Sequence, residues 1–246
     1  MTGGGGGTFE IGSVTVKEER IDVDGIPARL YLPDGATALL LLGHGGGSSK
    51  DDERFVALGR QYAEGTGLAT VCIDIAGHGE RRPPPTEPTA PPATPDTILP
   101  WVLSKIDQTV GDWQAAANAL RSIGPPVAYA GFSMGMLLGA PTVRAIPGIK
   151  AVVFGVGGVP AGLGGGSAML DYAAGLADRQ VLMLNMTQDG VFPPSGALEF
   201  FSAIPGRRKR IMFWEGDHVG LPSEAIRLSV DFVMRHSAAA VQHRDQ

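Results

Sequence analysis

The sequence predicts an α/β protein with an open, mostly parallel central sheet, entered through an antiparallel N-terminal hairpin and covered by helices on both faces. Three observations predict it. From residue 38 onward come short, continuously apolar runs, ALLLLG, LATVCIDI, PVAYAG, KAVVFGV, QVLMLN and KRIMFWEG, of the kind that parallel sheets bury on both sides. Between them lie stretches with helical spacing near 51–64, 107–122, 134–145, 169–177, 196–204 and 223–237, so strand and helix alternate as βαβ units require. Upstream, VTVKEERIDVDGIPARLYLP (14–33) has two extended segments around Asp24-Gly25, a pair that tolerates the positive φ of a hairpin turn.

The chain has 246 residues, 43% hydrophobic and 18% charged, enough for one domain with a sizeable core, expected over 14–237. The Gly-rich stretch 1–13 and the polar end 238–246 are expected to be flexible tails. One segment breaks the rhythm: RRPPPTEPTAPPATPDTILPW (81–101), whose prolines remove backbone donors and favour extended chain over helix. It leaves the C-terminal end of a strand, where α/β proteins place ligands, and reads as a lid-like loop.

A net charge of −5 leaves little with which to neutralise a phosphate backbone, so no nucleic-acid partner is expected. The basic run Arg207-Arg208-Lys209-Arg210 follows Pro205-Gly206 and reads as a solvated turn entering a strand. Cys72 is the single cysteine, inside an apolar run, and is expected to act as a small core residue. The first ten residues lack a basic and an apolar signal region, and no later apolar run is long enough to span a bilayer. The expectation is a soluble, cytoplasmic protein with no membrane partner.

The chemistry centres on GFSMG (131–135), a serine with glycine two residues away on either side. A nucleophile on a sharp strand-to-helix turn needs that spacing, because side chains there would collide with neighbouring backbone. PVAYAG before it reads as a buried strand, and MGMLLGAPTVRAI after it as a helix, so the setting fits. The hydroxyl needs a base, and the base an orienting carboxylate. His218, in WEGDHVG, lies just past a strand, at the sheet edge where Ser133 is expected. Asp189, in NMTQDGVFPP, lies past the preceding strand, completing the order Ser133, Asp189, His218 that nucleophile-elbow hydrolases use. Asp217 neighbours His218 and in extended chain would point to the opposite face. Asp74 precedes the serine and suits a structural turn. His236 and His243 fall in the last helix and the tail.

An oxyanion needs preorganised donors, and GHGGG (43–47) lets backbone N–H groups approach unobstructed. The candidate donors are Met134 with Gly45 or Gly46. The stretch does not fit a phosphate loop, because Lys50 is followed by Asp51 and Asp52. Phe132, Phe192 and Trp101 are candidate substrate-binding residues. No metal site is expected, since the histidines lack an i, i+4 pair, and the chemistry calls for no cofactor.

Over roughly 14–237 these motifs resemble the α/β-hydrolases, close to the compact dienelactone-hydrolase-like and carboxylesterase branches. The early GHGGG resembles the family's HGGG-type oxyanion loop, GFSMG its elbow, and Asp189 and His218 its acid and base. DIAGHG (74–79) resembles the family's structural Asp-x-x-Gly-x-Gly turn, which removes His78 as a base. Dienelactone hydrolases proper carry cysteine where this chain has Ser133. The resemblance implies a serine esterase that takes small to medium carboxylic esters through an acyl-enzyme, with a small-molecule ester as its partner. Thioester, lactone or peptide cleavage by the same residues is the alternative, and a ligand-binding module on this fold is the alternative from another class.

Overall fold

The computed structural model describes residues 14–83, 95–161 and 166–242. Among them the hairpin strands β1 (Val16–Val23) and β2 (Ile26–Pro33) are followed by β3 (Leu39–Gly43), β4 (Ala69–Ile73), β5 (Pro126–Phe132), β6 (Ala151–Gly155), β7 (Gln180–Met186) and β8 (Lys209–Trp214). They form one sheet in the order β1-β2-β4-β3-β5-β6-β7-β8. β1 pairs antiparallel with β2, and β2 with β4; every other pair is parallel. Asp24 and Gly25 take φ of 56° and 80° at the hairpin turn, as the pair allows.

Because successive strand residues face opposite ways, β3 splits its leucines between two cores. Leu39 and Leu41 join one cluster with Trp113, Leu137, Met169 and Phe200, beneath α3 (Ile106–Ala119), α4 (Met134–Ala145), α5 (Gly166–Ala174) and α6 (Pro194–Ala203). Leu40 and Leu42 join the other with Phe55, Tyr62, Ala225 and Val233, beneath α1 (Glu53–Thr66) and α7 (Ser223–Gln242). Cys72 is fully buried in this second cluster, and burial pushes its thiol pKa up, consistent with an inert core residue. Both faces of the sheet are therefore covered. α1 starts where Asp52 accepts a hydrogen bond from the Arg54 amide (3.0 Å) and stops at Gly67, with φ of 70°.

Helices enter two of the segments expected to be irregular. α2 (Pro95–Ser104) begins inside the segment 81–101 expected as a lid-like loop. Pro95 occupies the first helical position, where the missing N–H costs nothing, and Pro100 lies within the helix. Packing of Val102 in the core and of Trp101 against it outweighs the proline penalty. Residues 84–94 of that loop lie outside the described residues, as do 1–13 of the N-terminal tail. The C-terminal tail expected from 238 is helical through Gln242, since Ala238, Ala239 and Ala240 are strong helix formers; residues 243–246 lie outside the description. Among the described residues, no helix is long and apolar enough to cross a membrane.

Candidate active site

β5 runs straight into the turn that carries Ser133. The serine has φ 55° and ψ −116°, a conformation that residues with side chains rarely occupy, immediately before the first residue of α4. Crowding explains the flanking glycines. A methyl group on Gly131 would sit 2.7 Å from the carbonyl carbon of Gly135, and one on Gly135 would sit 2.6 Å from that of Gly43. Beneath the turn the Tyr129 hydroxyl donates to the Gly135 carbonyl at 2.6 Å, and its ring fills space left by the bare Gly43 and Gly139. The Ser133 amide donates to Gly155 of β6 at 2.9 Å. Ser133 thus stands at the N-terminus of α4, where unpaired amides and the helix dipole favour negative charge.

The Ser133 Oγ lies 2.9 Å from His218 Nε2, and His218 Nδ1 lies 2.8 Å from Asp189 Oδ2. The Asp189 carboxylate is buried, and its other oxygen accepts from the amides of Val191 (2.8 Å) and Phe192 (2.9 Å). A carboxylate so held requires Nδ1 of His218 to carry the hydrogen, leaving the Nε2 lone pair for the serine hydroxyl. Phe192 packs its ring 5.6 Å from that of His218. Asp217 instead accepts from the Val219 amide (3.2 Å). The arrangement is chemically able to deprotonate a serine hydroxyl.

The loop after β3 lies against this turn. A methyl group on Gly45 would sit 3.7 Å from the Ser133 Cβ, and one on Gly46 would sit 3.9 Å from the Met134 Cβ. His44 is fully buried and bonded at both ring nitrogens: Nε2 accepts from the Ile75 amide (3.1 Å), so Nδ1 donates to the Gly45 carbonyl (2.9 Å). Burial pushes its pKa down to about 4. Farther along, Lys50 Nζ is buried and bonded to Asp74 (3.0 Å), Asp51 (3.1 Å) and Glu80, while Asp74 also accepts from the amides of Lys50 and Glu80, both 2.9 Å. Burial works against the Lys50 charge, but the hydrogen bonds to Glu80, Asp74 and Asp51 outweigh it and hold its pKa up. Arg82 donates to the Gly47 carbonyl at 3.1 Å.

The structure therefore brings Ser133, Asp189 and His218 into one hydrogen-bonded chain, with Gly45, Gly46 and Met134 beside them. Phe132 is a buried core side chain, its ring 6.2 Å from Phe55 and against Gly155. Trp101 packs edge-on to His78 at 5.4 Å and over Gly77. Sequence reasoning missed the Tyr129 post and the Arg82 bond, for which no local signal exists. Lys50 was visible only as a misfit to a phosphate loop. Among the described residues, no group of three or more His, Cys, Asp or Glu is placed to hold a metal ion.

No protein-family model matches the chain, and no curated protein does. Solved structures do match. A PEG-bound complex of a cold-adapted esterase from an Arctic intertidal metagenomic library is similar, with a TM-score of 0.75 and 26% identity over 96% of this chain and 100% of that one. TT1662 from Thermus thermophilus is similar at a TM-score of 0.72 and 23% identity, over 90% and 98% of the two chains. The Pyrococcus furiosus esterase Pf2001 is similar at 0.67 and 15%, over 95% and 97%. The chain has the α/β-hydrolase fold. Two of these structural neighbours are named esterases.

Proposed function

We propose that this chain is a serine hydrolase that cleaves small to medium carboxylic esters through an acyl-enzyme. The observation that carries the reading is the chain of bonds from Ser133 through His218 to the buried Asp189. Ser133 attacks the ester carbonyl while His218 takes its proton. His218 then returns that proton to the leaving alcohol, and the cycle repeats with water as the nucleophile. Asp189 holds the reactive tautomer and stabilises the imidazolium.

The oxyanion is held by the Met134 amide at the start of α4 and by one amide of the loop after β3. Of the two glycines, we assign Gly46. His44 pulls the Gly45 carbonyl toward itself, and a trans peptide directs the following N–H the opposite way. Each such donor lowers the barrier by about 3 kcal/mol. Phe192, buried in the core and packed on His218, is proposed to back the base at the edge of the acyl site.

Replacing Ser133 with Ala is expected to reduce p-nitrophenyl acetate turnover by about 10⁴-fold or more, with unchanged circular dichroism. Full activity in that variant would overturn the assignment. A fluorophosphonate probe is expected to label the wild type at Ser133. A matched series of oxygen esters, thioesters, lactones and amides then ranks the acyl chemistries, and a chain-length series measures the site's size.

A further inference from the structure

Opposite Ser133, at the N-terminal ends of β7 and β8, lies a cavity of about 290 Å³ walled by residues 207–210 and by one face of α7. We propose that this cavity binds a small phosphorylated molecule, with Arg208, Arg210 and Arg235 as its anion-holding groups. β7 is seven residues long, so about 20 Å separates this edge from the Asp189 end. The inference stands apart from the esterase reading.

The local charge is the first support. Four arginines, Arg207, Arg208, Arg210 and Arg235, line the cavity, against a single carboxylate, Asp231. Arginines with ion pairs among the described residues are Arg20, Arg29, Arg54, Arg60 and Arg81; none of the four cavity arginines is among them. In a protein of net charge −5 this concentrates uncompensated positive charge in one concave place.

Side-chain direction is the second support. Lys209 Nζ donates to the carbonyls of Phe201 (2.7 Å) and Ile204 (2.5 Å) at the end of α6, so the lysine is spent on the other face of the sheet. Alternation along β8 then turns Arg210 toward α7, where Arg235 and His236 stand. Burial, together with the charges of Arg235 and Arg210, lowers the pKa of His236, as expected where cations outnumber the one carboxylate, Asp231. A neutral His236 then remains as a hydrogen-bonding group beside the arginines.

The ligand class follows from these groups. Guanidinium forks match phosphate oxygens two at a time, and Leu228 and Phe232 offer an apolar wall for an organic remainder. The volume of about 290 Å³ lies just under the usual range of small-molecule sites, which suits a compact metabolite.

Isothermal titration of the full chain with inorganic pyrophosphate at low salt tests the proposal. One saturable site with a sub-millimolar Kd is expected, weakening as salt rises. The double variant Arg208→Ala/Arg235→Ala is expected to weaken binding at least tenfold with ester turnover unchanged. Asp231→Asn is expected to tighten it severalfold, a gain that misfolding would not produce. Absence of saturable binding, equal binding in the double variant, or equal affinity for citrate would overturn the proposal. Binding to phosphatidylglycerol vesicles without affinity for pyrophosphate would overturn it as well, in favour of a lipid surface.

Discussion

The loops that follow β3 and β8 each deliver a histidine to the same edge of the sheet, and each imidazole is bonded through both nitrogens. Their surroundings differ. His44 is sealed from solvent and spans two backbone groups, the Ile75 amide and the Gly45 carbonyl. His218 has about a quarter of its side chain exposed and spans two side chains, the Asp189 carboxylate and the Ser133 hydroxyl. The first set of partners needs a neutral ring at all times. The second suits a ring that gains and loses a proton, because a carboxylate is ready to stabilise the cation. Under the proposed function, partners and exposure divide one residue type into a brace and a proton carrier.

The comparison is most sharply tested at the carrier. Asp189→Asn keeps the shape of the acid but favours the wrong His218 tautomer, and about a 10⁴-fold drop in kcat is expected. A small drop, read by steady-state kinetics with a p-nitrophenyl ester, would remove the distinction between the two histidines. The brace should respond less. His44→Ala releases the Gly45 carbonyl and is expected to lower kcat by about 10²-fold with little change in KM, as for a disturbed oxyanion donor. His44→Asn, which retains a donor near the Nδ1 position, should recover part of that loss; failure to do so would leave His44 a packing residue only.

Acid sensitivity tests the burial of the brace. Burial lowers His44 from 6.5 to about 4, so between those values the unfolded chain binds a proton that the folded chain refuses. Its stabilising effect is complete above pH 6.5 and is lost as pH falls toward 4, by about 3 kcal/mol. His78, also lowered by burial, acts in the same direction. Urea unfolding at pH 7 and pH 4.5 should show a smaller difference for His44→Asn than for the wild type. The smallest effect is expected beneath the serine: Tyr129→Phe leaves the Gly135 carbonyl without its donor and should cost about 1–3 kcal/mol, measured by the same unfolding.

Much of this architecture is legible without coordinates. The six apolar runs from residue 38 onward all contain strands, since burial on both faces leaves a continuous apolar signature. The order of Ser133, Asp189 and His218 was readable because each follows a strand, and parallel strands bring their C-terminal ends to one edge. The helix at 95–101 was not legible, because the prolines argue locally for extended chain while the packing that overrides them is distant. Gly45 and Gly46 were indistinguishable in the sequence; the His44 bond to the Gly45 carbonyl is what supports the proposed choice of Gly46.

Periodicity, glycine spacing and chain order are properties of neighbouring residues, and these were enough for the fold class and for the three residues of the proposed catalytic chain. Burial and partnership belong to residues far apart in the chain. Lys50 meets Asp74 and Glu80, 24 and 30 positions away, and Ser133 meets His218 across 85. The basic run after Pro205 becomes one wall of a cavity only when α7 supplies the other. Those meetings are made by strand order and helix packing, which is why only the tertiary structure decided them.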